Sequence, residues 1–510
     1  MPPQESTQVS LECFSHLLQR QFDHNGRKTA IVYRDERITY DQLRYRAAHV
    51  GALLQGKGMQ KGDRVILFTP DKLPLLIAHL GIILGGGISL PLNFGFTEEE
   101  MIYFLNDSGA RYVFASGEQA GLIARIAGRC LDLVEVINPA EALETRGFST
   151  LKDTEVSEED GCFMLYSSGT TGRPKGVVQR QRNLAASIMA LQACWHFSSD
   201  DVLLNVLPLF HIHGLSFATH LSLLSGSTML LEDRFHPLKT MRRINDATVF
   251  MAVPTIYYAF LRRKEFGVVA SHWDKTRLFT CGSAPIRSEV LPELESILDS
   301  PLINRYGMTE SHVITSLPLT GPHPQGSVGI PLSGVEMKLV TEEGQSILAG
   351  TDHGDDPDVV GEVLIRGKNL FREYWRNMEA TAQAFDEEGY FSTGDLGQYD
   401  KRGFLTLVGR KKDLVITDGY NVYPAVVERV LNSFALVKES AVIGVPDAKR
   451  GEKVVAVVVP GDALNAGELK AHCRANLADY QVPVSFEFVD ELPRNAMGKV
   501  LKRELKDRLV

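Results

Sequence analysis

The chain has 510 residues and a formal net charge of −9, with 44% hydrophobic and 23% charged residues. This length exceeds what one ordinary hydrophobic core supports, so it predicts two or more domains. The composition is typical of a globular protein, and the negative charge argues against general binding to nucleic acids or anionic membranes. A local basic site can still bind a small anion.

Six cysteines are scattered along the chain and form no C-x-x-C pair. This pattern indicates reduced thiols in a cytosol-like compartment rather than a disulfide framework or a zinc site. Residues 1–23 contain acidic side chains and no apolar core, so we expect no signal peptide. The most apolar run, 73–92, is interrupted by Pro74, His79 and three glycines, which favours a buried helix, a turn and a short strand over a membrane span. We therefore expect a cytoplasmic protein without integral membrane contact.

From about residue 28 onward, apolar strand-like runs alternate with helical stretches. The alternation predicts βαβ units, in which helices cover the faces of a sheet. Ligands of such folds bind beyond the carboxyl ends of the strands, and several unusual motifs of this sequence follow predicted strands. The predicted strands are 64–69, 111–115, 163–166, 202–207, 248–253, 277–281 and 302–304.

A loop rich in glycine and hydroxyl groups follows strand 163–166 and leads to a lysine. Glycines let successive N–H groups converge into an anion-binding concavity, the hydroxyls add donors and the lysine adds positive charge. This inventory fits a polyphosphate, although the spacing is not that of a Walker P-loop. A solvated turn is the alternative, and it explains so dense a loop poorly. The candidate phosphate-binding residues are Ser167, Ser168, Gly169, Thr170, Thr171, Gly172 and Lys175.

This loop resembles the phosphate loop of the adenylate-forming superfamily, which contains acyl-CoA synthetases, adenylation domains and luciferases. Further motifs stand in the order typical of that superfamily, and the resemblance covers about residues 28–508. It implies an α/β fold with a large N-terminal domain of helix-covered mixed sheets, a distorted β-barrel-like part, and a small mobile α+β C-terminal domain. The expected boundaries are 1–409 for the N-terminal domain, 410–413 for a hinge and 414–510 for the C-terminal domain.

The resemblance also implies chemical roles. Thr309 would touch the α-phosphate of ATP, and Glu310 would hold Mg²⁺, which prefers oxygen ligands and often takes one protein carboxylate. Lys499, in the motif Pro-Arg-x-x-x-Gly-Lys, would bridge the carboxylate and the α-phosphate during adenylation. Lys412 would be the pivot between two domain orientations, and Gly419 would lie where the pantetheine arm of coenzyme A enters.

Other motifs would complete the ATP and acid sites. The motif His211-x-His213 could suggest a metal, but no third ligand stands nearby in the sequence. In the superfamily the residue matching His211 flanks the acyl pocket, and a plain aromatic lining is the alternative. The remaining implied contacts are Gly282, Ser283 and Ala284 against the adenine, Tyr306, Gly307 and Met308 beside it, Met308 also at the acid, and Asp395 and Arg410 at the ribose.

Arg305 carries the prediction about the acid. A buried arginine without a partner is costly, and a second carboxylate on the substrate would pair with it. The stretch Arg305–Glu310, with Pro208–Gly214 and Val253–Thr255, is similar to malonyl-CoA synthetases, in which the matching arginine holds the distal carboxylate. The alternative is that Arg305 pairs with an internal acid and that the substrate is a fatty or aryl acid.

The expected activity is therefore ligation of malonate, or a small malonate-like diacid, to coenzyme A with ATP and Mg²⁺. A stand-alone enzyme that loads a carrier protein is an alternative for the thiol partner. An amino-acid adenylating enzyme would want an acidic residue near His211, and 212–217 offers none. A luciferase-like oxygenase would share all the motifs. We expect a monomer or a homodimer and no nucleic-acid partner.

Overall fold

The computed structural model describes residues 13–144, 150–152, 154–167, 173–349, 359–461, 464–494 and 500–509. Several helices begin at side-chain caps, and Thr39 and Thr97 form capping boxes with Gln42 and Glu100. The helices are Phe14–Asn25, Tyr40–Gly56, Lys72–Leu84, Glu98–Ser108, Gly117–Ile126, Pro139–Glu144, Gln181–Trp195, Leu221–Leu224, Pro237–Ile244, Pro254–Leu261, Phe266–Ala270, Leu291–Leu298, Met378–Gln383, Pro424–Asn432, Ala466–Asn476 and Lys502–Leu509, with a π-helix at His213–His220. Short 3₁₀ turns are Ala127–Arg129, Ser288–Val290, Lys411–Asp413 and Asp479–Gln481.

The largest sheet in the described part of the chain has nine strands. Six neighbouring strands, from Leu302–Met308 to Thr29–Tyr33, are paired in parallel, so their carboxyl ends meet at one edge. In spatial order the strands are Ile330–Pro331, His312–Ser316, Leu302–Met308, Leu278–Cys281, Val249–Ala252, Val202–Asn205, Thr228–Leu231, Thr29–Tyr33 and Glu36–Thr39.

A second mixed sheet, traced with seven strands in the described residues, packs against the first. The main hydrophobic core joins both sheets through side chains such as Ile31, Phe163 and Leu203. The apolar run 73–92 forms the predicted buried helix, glycine turn and short strand. In spatial order the strands are Glu373–Tyr374, Lys175–Arg180, Gly161–Ser167, Ile88–Pro91, Arg64–Phe68, Tyr112–Ala115 and Glu135–Ile137.

The third sheet corresponds to the predicted barrel-like part. Within the described residues it is an open antiparallel sheet of five strands, because its two outer strands do not pair with each other. Its strands are Ser346–Leu348, Val335–Val340, Gly361–Gly367, Phe391–Tyr399 and Leu405–Arg410. The α/β class with a large N-terminal part of mixed sheets is confirmed.

The chain then enters a small α+β unit. Its sheet contains Tyr420–Val422, Val415–Thr417, Gly451–Pro460, Val437–Asp447 and Ser485–Phe488, and helices Pro424–Asn432 and Ala466–Asn476 pack on its core. The turn Lys411–Asp413 lies between the last strand of the third sheet and the first of this one. In the described residues, two side-chain hydrogen bonds join this unit to the N-terminal part. Arg287 Nη1 of the N-terminal part donates to the Lys438 carbonyl at 2.8 Å, and Asn421 Nδ2 of the small unit donates to Glu342 at 2.9 Å.

No helix in the described ranges combines the length and the apolar character that a membrane crossing requires. The run 73–92, which is the most apolar of the sequence, instead packs inside the protein, where all but two residues of helix Lys72–Leu84 are buried.

Buried histidines make stability depend on pH. Burial lowers the pKa of His79 and of His312 to about 3 and that of His211 to about 4, from the ordinary value of 6.5. The unfolded chain therefore binds more protons than the folded chain below pH 6.5, so stability falls as the pH drops from there toward 4. Each histidine contributes about 1.4 kcal/mol per pH unit.

We expect the free energy of unfolding to decrease by about 4 kcal/mol per pH unit below pH 6 from these three histidines. Denaturant titrations at half-unit intervals from pH 7.5 to 4.5 measure this slope. His312→Asn should lower this slope by about 1.4 kcal/mol per pH unit, the contribution of one histidine. Equal slopes for His312→Asn and the wild type would contradict the explanation.

Candidate active site

One strand carries much of the predicted site. Strand Leu302–Met308 pairs in parallel with Leu278–Cys281 up to Asn304 and then antiparallel with His312–Ser316 from Arg305 onward. The predicted strand 302–304 is therefore longer than expected, and the motif continues the strand rather than following it. The pattern of apolar residues does not indicate this extension, because the extension is stabilised by pairing with the later strand His312–Ser316.

Residues 309–311 form the turn of that hairpin and present Glu310, which is 6% exposed. Its Oε1 accepts hydrogen bonds from Ser167 Oγ and Tyr374 Oη, both at 3.2 Å. Burial raises the pKa of this carboxyl, and the two hydroxyl donors oppose the rise. Lys175 is paired with Ser167 on the adjacent antiparallel strand, and its Nζ lies 5.0 Å from the ring centroid of Tyr374. Of the two described ends of the predicted phosphate loop, Ser167 therefore contacts Glu310 directly, and Lys175 contacts Tyr374, which binds Glu310.

The Glu310 carboxylate has the features of a magnesium ligand. Its Oε1 is held by two hydroxyls, while no side chain of the described residues donates to Oε2. No group of three or more metal-binding side chains exists in the described ranges. A single carboxylate with one open oxygen suits Mg²⁺, which commonly completes its shell with substrate phosphates and water. The His211-x-His213 pair forms no such group with the described residues.

The predicted adenine contact Tyr306 and the predicted ribose contacts Asp395 and Arg410 meet beside strand Leu302–Met308. Tyr306 Oη donates to Asp395 Oδ2 at 2.6 Å, and Arg410 Nε is 2.8 Å from Asp395 Oδ1. Burial, and then the charge of Asp395, raise the pKa of Tyr306 well above 10, so its hydroxyl stays protonated. Asp395 lies inside strand Phe391–Tyr399, where it is paired with Arg410 on the neighbouring strand.

Arg305 points to the opposite side, as alternation along a strand requires. It is 2% exposed, and its guanidinium carbon lies 4.6 Å from the ring centroid of Phe217. Its Nη2 donates to Ser283 Oγ at 3.3 Å, and Ser283 Oγ lies 3.2 Å from His213 Nδ1. The predicted motifs therefore do meet: the turn after strand Leu278–Cys281 lines the same pocket as Arg305.

The guanidinium of Arg305 has no carboxylate partner among the described residues. Its Nε and Nη1, together with His213 Nε2, are buried without a hydrogen bond there. Burial lowers the pKa of Arg305 to about 9, so the side chain remains charged at neutral pH. Because Nη2 donates to Ser283, that hydroxyl is free to donate to His213 Nδ1, which would leave the His213 proton on the unpaired Nε2. Several donors thus stand unpaired around one positive charge.

Gly282 makes room for this arginine. A Cβ at Gly282 would lie 2.8 Å from Arg305 Nε and 2.9 Å from its guanidinium carbon. The next residue, Ser283, has φ 73°, a left-handed conformation that is strained for a residue with a side chain. Gly282 and Ser283 were predicted to pack on adenine, and the structure adds contacts of both with Arg305.

Some predicted residues lie elsewhere. Gly419 follows Asp418, whose φ is 51°, in the turn of a small hairpin on the C-terminal unit, and Lys412 lies in the turn Lys411–Asp413. His211 is half-buried beside Phe210 at a ring distance of 4.7 Å, and its buried Nε2 has no partner among the described residues. Ser168, Gly169, Thr170, Thr171, Gly172 and Lys499 are outside the described residues.

Sequence reasoning missed four side chains that contact predicted residues. Tyr374 contacts Glu310, Phe217 packs on Arg305, and Gln179 and His213 contact Thr309 and Ser283. Of these, only His213 had a signal, as half of the His211-x-His213 motif. The others are remote in sequence from the residues they serve.

The chain belongs to the AMP-binding enzyme family, whose sequence profile matches residues 18–375, and the profile of that family's C-terminal domain matches 426–499. Among curated relatives, the mitochondrial malonate–CoA ligase of Mus musculus is 32% identical, with 95% of this chain and 89% of the relative covered. The oxalate–CoA ligase of Arabidopsis thaliana is 34% identical, over 88% and 89%.

Solved structures of acid–CoA ligase relatives also match nearly the whole chain. ATP-bound MatB from Rhodopseudomonas palustris matches with a TM-score of 0.90 and 36% identity, covering 97% of this chain and 98% of that one. The apo form of MatB matches with a TM-score of 0.81 at 35% identity, over the same shares. The present structure is thus more similar to the ATP-bound form than to the apo form.

Proposed function

We propose that this protein is an AMP-forming acid–CoA ligase whose acid is malonate or a small malonate-like diacid. In the first half-reaction a substrate carboxylate oxygen attacks the α-phosphorus of ATP, and the bond to pyrophosphate breaks. In the second, the coenzyme A thiolate attacks the acyl carbon and AMP leaves. Relatives that are named malonate–CoA and oxalate–CoA ligases support both the reaction and the acid class.

The single observation that carries the diacid assignment is the unpaired Arg305. A guanidinium this deeply buried, with free Nε–H and Nη1–H groups, pairs best with an anion that the protein does not supply from its described residues. A monocarboxylate whose only carboxylate reacts at the phosphate would leave that charge unpaired. A second carboxylate would accept hydrogen bonds from Arg305 and from His213 Nε2.

The first half-reaction needs no nucleophile or general base from the protein, since the substrate is already an anion. Catalysis is then alignment and neutralisation of charge, for which we propose Thr309, Lys175 and Lys499 as donors to the phosphate oxygens. Mg²⁺ on Glu310 would supply further charge neutralisation to the phosphates. Asp395 and Arg410 would hold the ribose, Tyr306 would lie beside the adenine, and Met308 would lie between nucleotide and acid.

The second half-reaction is proposed to use a rotation of the C-terminal unit at Lys412, which withdraws Lys499 and brings Gly419 to the acyl carbon. Domain boundaries at 1–409, 410–413 and 414–510 follow from that proposal. The contacts of Arg287 with Lys438 and of Asn421 with Glu342 would break in the rotation. Both contacts are single hydrogen bonds, and water can bind the separated donors and acceptors in their place.

A substrate panel tests the function. Pyrophosphate release is measured with ATP and Mg²⁺ for oxalate, malonate, methylmalonate, succinate, acetate, octanoate and benzoate, each with and without coenzyme A. We expect malonate or a close diacid to give the highest kcat/KM and to yield the thioester and AMP in equal amounts. A best substrate among the monocarboxylates would refute the diacid assignment while retaining the ligase, and release with no acid would refute both.

A further inference from the structure

A chain of buried hydrogen bonds runs behind the turn that carries Thr309. Gln179, on strand Lys175–Arg180, donates from Nε2 to the Thr309 carbonyl at 2.6 Å. Its Oε1 lies 3.1 Å from His312 Nε2, and His312 Nδ1 lies 3.3 Å from Ser216 Oγ. Gln179, His312 and Ser216 are fully buried.

The chemistry of the groups fixes the direction of these bonds. A carbonyl only accepts, so the Gln179 amide nitrogen faces Thr309 and its oxygen faces the imidazole. His312 must then carry its proton on Nε2 and accept from Ser216 at Nδ1. A neutral ring does both, and full burial favours the neutral form of a histidine. Every group in the chain is satisfied in this one arrangement.

The backbone around this turn is held at three successive carbonyls. Gln179 binds that of Thr309, the Phe371 N–H binds that of Glu310 at 2.7 Å, and Asn369 Nδ2 binds that of Ser311 at 2.7 Å. Fixing three carbonyls in a row fixes where the intervening side chains start. His312, the next residue, has φ 58°, a left-handed strain that persists only where neighbours hold it.

The other end of the chain reaches the acid pocket. Ser216 lies on the π-helix His213–His220, three residues after His213, which contacts Ser283 beside Arg305. Such helices are rare and often occur at functional sites. The first residue of this helix, His213, therefore contacts the proposed acid pocket, and Ser216 of the same helix connects through His312 and Gln179 to the turn that carries Thr309.

We propose that Gln179 and His312 are positioning residues for the adenylation step. Through the Thr309 carbonyl, they hold Thr309 and Glu310 in the geometry that receives MgATP and keep that turn in register with the acid pocket. This inference rests on the proposed function, because it assigns Thr309 and Glu310 to the phosphates and the metal. Neither Gln179 nor His312 is proposed to touch a reacting atom.

The test measures malonate-dependent exchange of labelled pyrophosphate into ATP, which reports adenylation alone. Gln179→Met keeps the side-chain volume and removes both hydrogen bonds. We expect kcat to fall about 10- to 100-fold and KM for MgATP to rise, while KM for malonate changes less than about twofold. Thr315→Val is the matched control, since Thr315 is fully buried on strand His312–Ser316 and bonds only the Val328 carbonyl.

Gln179→Glu gives a readout that a packing role would not move. As a neutral acid, glutamate donates to the Thr309 carbonyl and accepts from His312, so it restores the chain. Once ionised it repels that carbonyl, so kcat should fall with rising pH at an inflection absent from the wild type and from Gln179→Met. The titratable groups that contact Gln179 in the described residues are His312 and the Cys162 thiol, which donates to the Gln179 carbonyl, and Glu310 is the next residue after Thr309.

His312→Asn tests whether the two residues act as one chain, because asparagine tolerates the left-handed conformation. The double variant with Gln179→Met should be no slower than the slower single variant. The positioning role is refuted if the fold-losses in kcat of the two single variants multiply in the double variant. It is also refuted if the pH profile of Gln179→Glu is parallel to that of the wild type and the kcat losses equal those of Thr315→Val. A wild type that exchanges pyrophosphate with no diacid refutes the proposed function instead, and the series is then measured with whichever acid of the panel is active.

Discussion

Replacing Arg305 with methionine is expected to lower kcat/KM for malonate by about two to three orders of magnitude. Removing one partner of a buried charged pair costs about 3–5 kcal/mol, and the loss here falls on the substrate because no described residue shares the arginine's charge. Acetate makes no such pair, so its kcat/KM should change by less than about threefold. Initial rates of pyrophosphate release with both acids measure the selectivity directly.

Two companion variants sharpen this experiment. Arg305→Lys keeps the charge but loses the planar fork, so it should recover only part of the malonate rate. Arg277→Met removes an arginine that is paired with Asp201 at 2.6 Å outside the pocket, and it should cost stability without changing the ratio of malonate to acetate. If Arg305→Met slowed both acids equally, Arg305 would be a structural residue and the diacid assignment would be wrong.

Glu310→Gln is expected to have the second large effect, on the dependence of adenylation on Mg²⁺. Glutamine keeps the volume and can still accept from Ser167 and Tyr374, but it removes the negative charge that a cation needs. We expect kcat for pyrophosphate exchange to fall about 100-fold or more, by analogy with the loss of other groups that stabilise charge in a transition state. Titrating Mg²⁺ at saturating ATP should show half-maximal rate at a concentration at least tenfold higher.

A control separates this effect from a general loss of negative charge. Glu232 is also a largely buried glutamate, paired with Lys239 and Arg243, and Glu232→Gln should leave the magnesium titration unchanged. If the magnesium titration of a folded Glu310→Gln variant were unchanged, Glu310 would not be a metal ligand. The proposal for the rest of the ATP site would be unaffected.

Much of the architecture could be predicted because parallel strands and their covering helices are local in sequence. The strands at 64–69, 202–207, 248–253 and 277–281 are present with their ends trimmed by one or two residues. Arg305 could be singled out because an arginine at the end of a predicted strand is costly to bury without a partner, and its burial without a carboxylate partner in the described residues agrees with that reasoning.

What the sequence could not predict are contacts made by residues far apart in the chain. Tyr374 reaches Glu310 from 64 residues away, and Gln179 reaches Thr309 from 130 residues away. No local period signals either contact, because each depends on how two sheets meet. Likewise, Asp395 lies inside a strand and not at its end because its partner is Arg410 on the neighbouring strand.

Strand Leu302–Met308 carries the proposed acid contact Arg305 and the proposed adenine contact Tyr306 on adjacent residues of one backbone, and its hairpin turn carries the proposed metal ligand Glu310. A lineage that acquires a new acid therefore cannot reshape this wall by insertion or by a shift of the main chain, since the same shift would displace the metal ligand. Diversification must proceed by exchange of individual side chains on the acid-facing side, such as Arg305, Ser283 and His213. Laboratory evolution toward other acids should accumulate its substitutions there and leave the length of 302–312 unchanged.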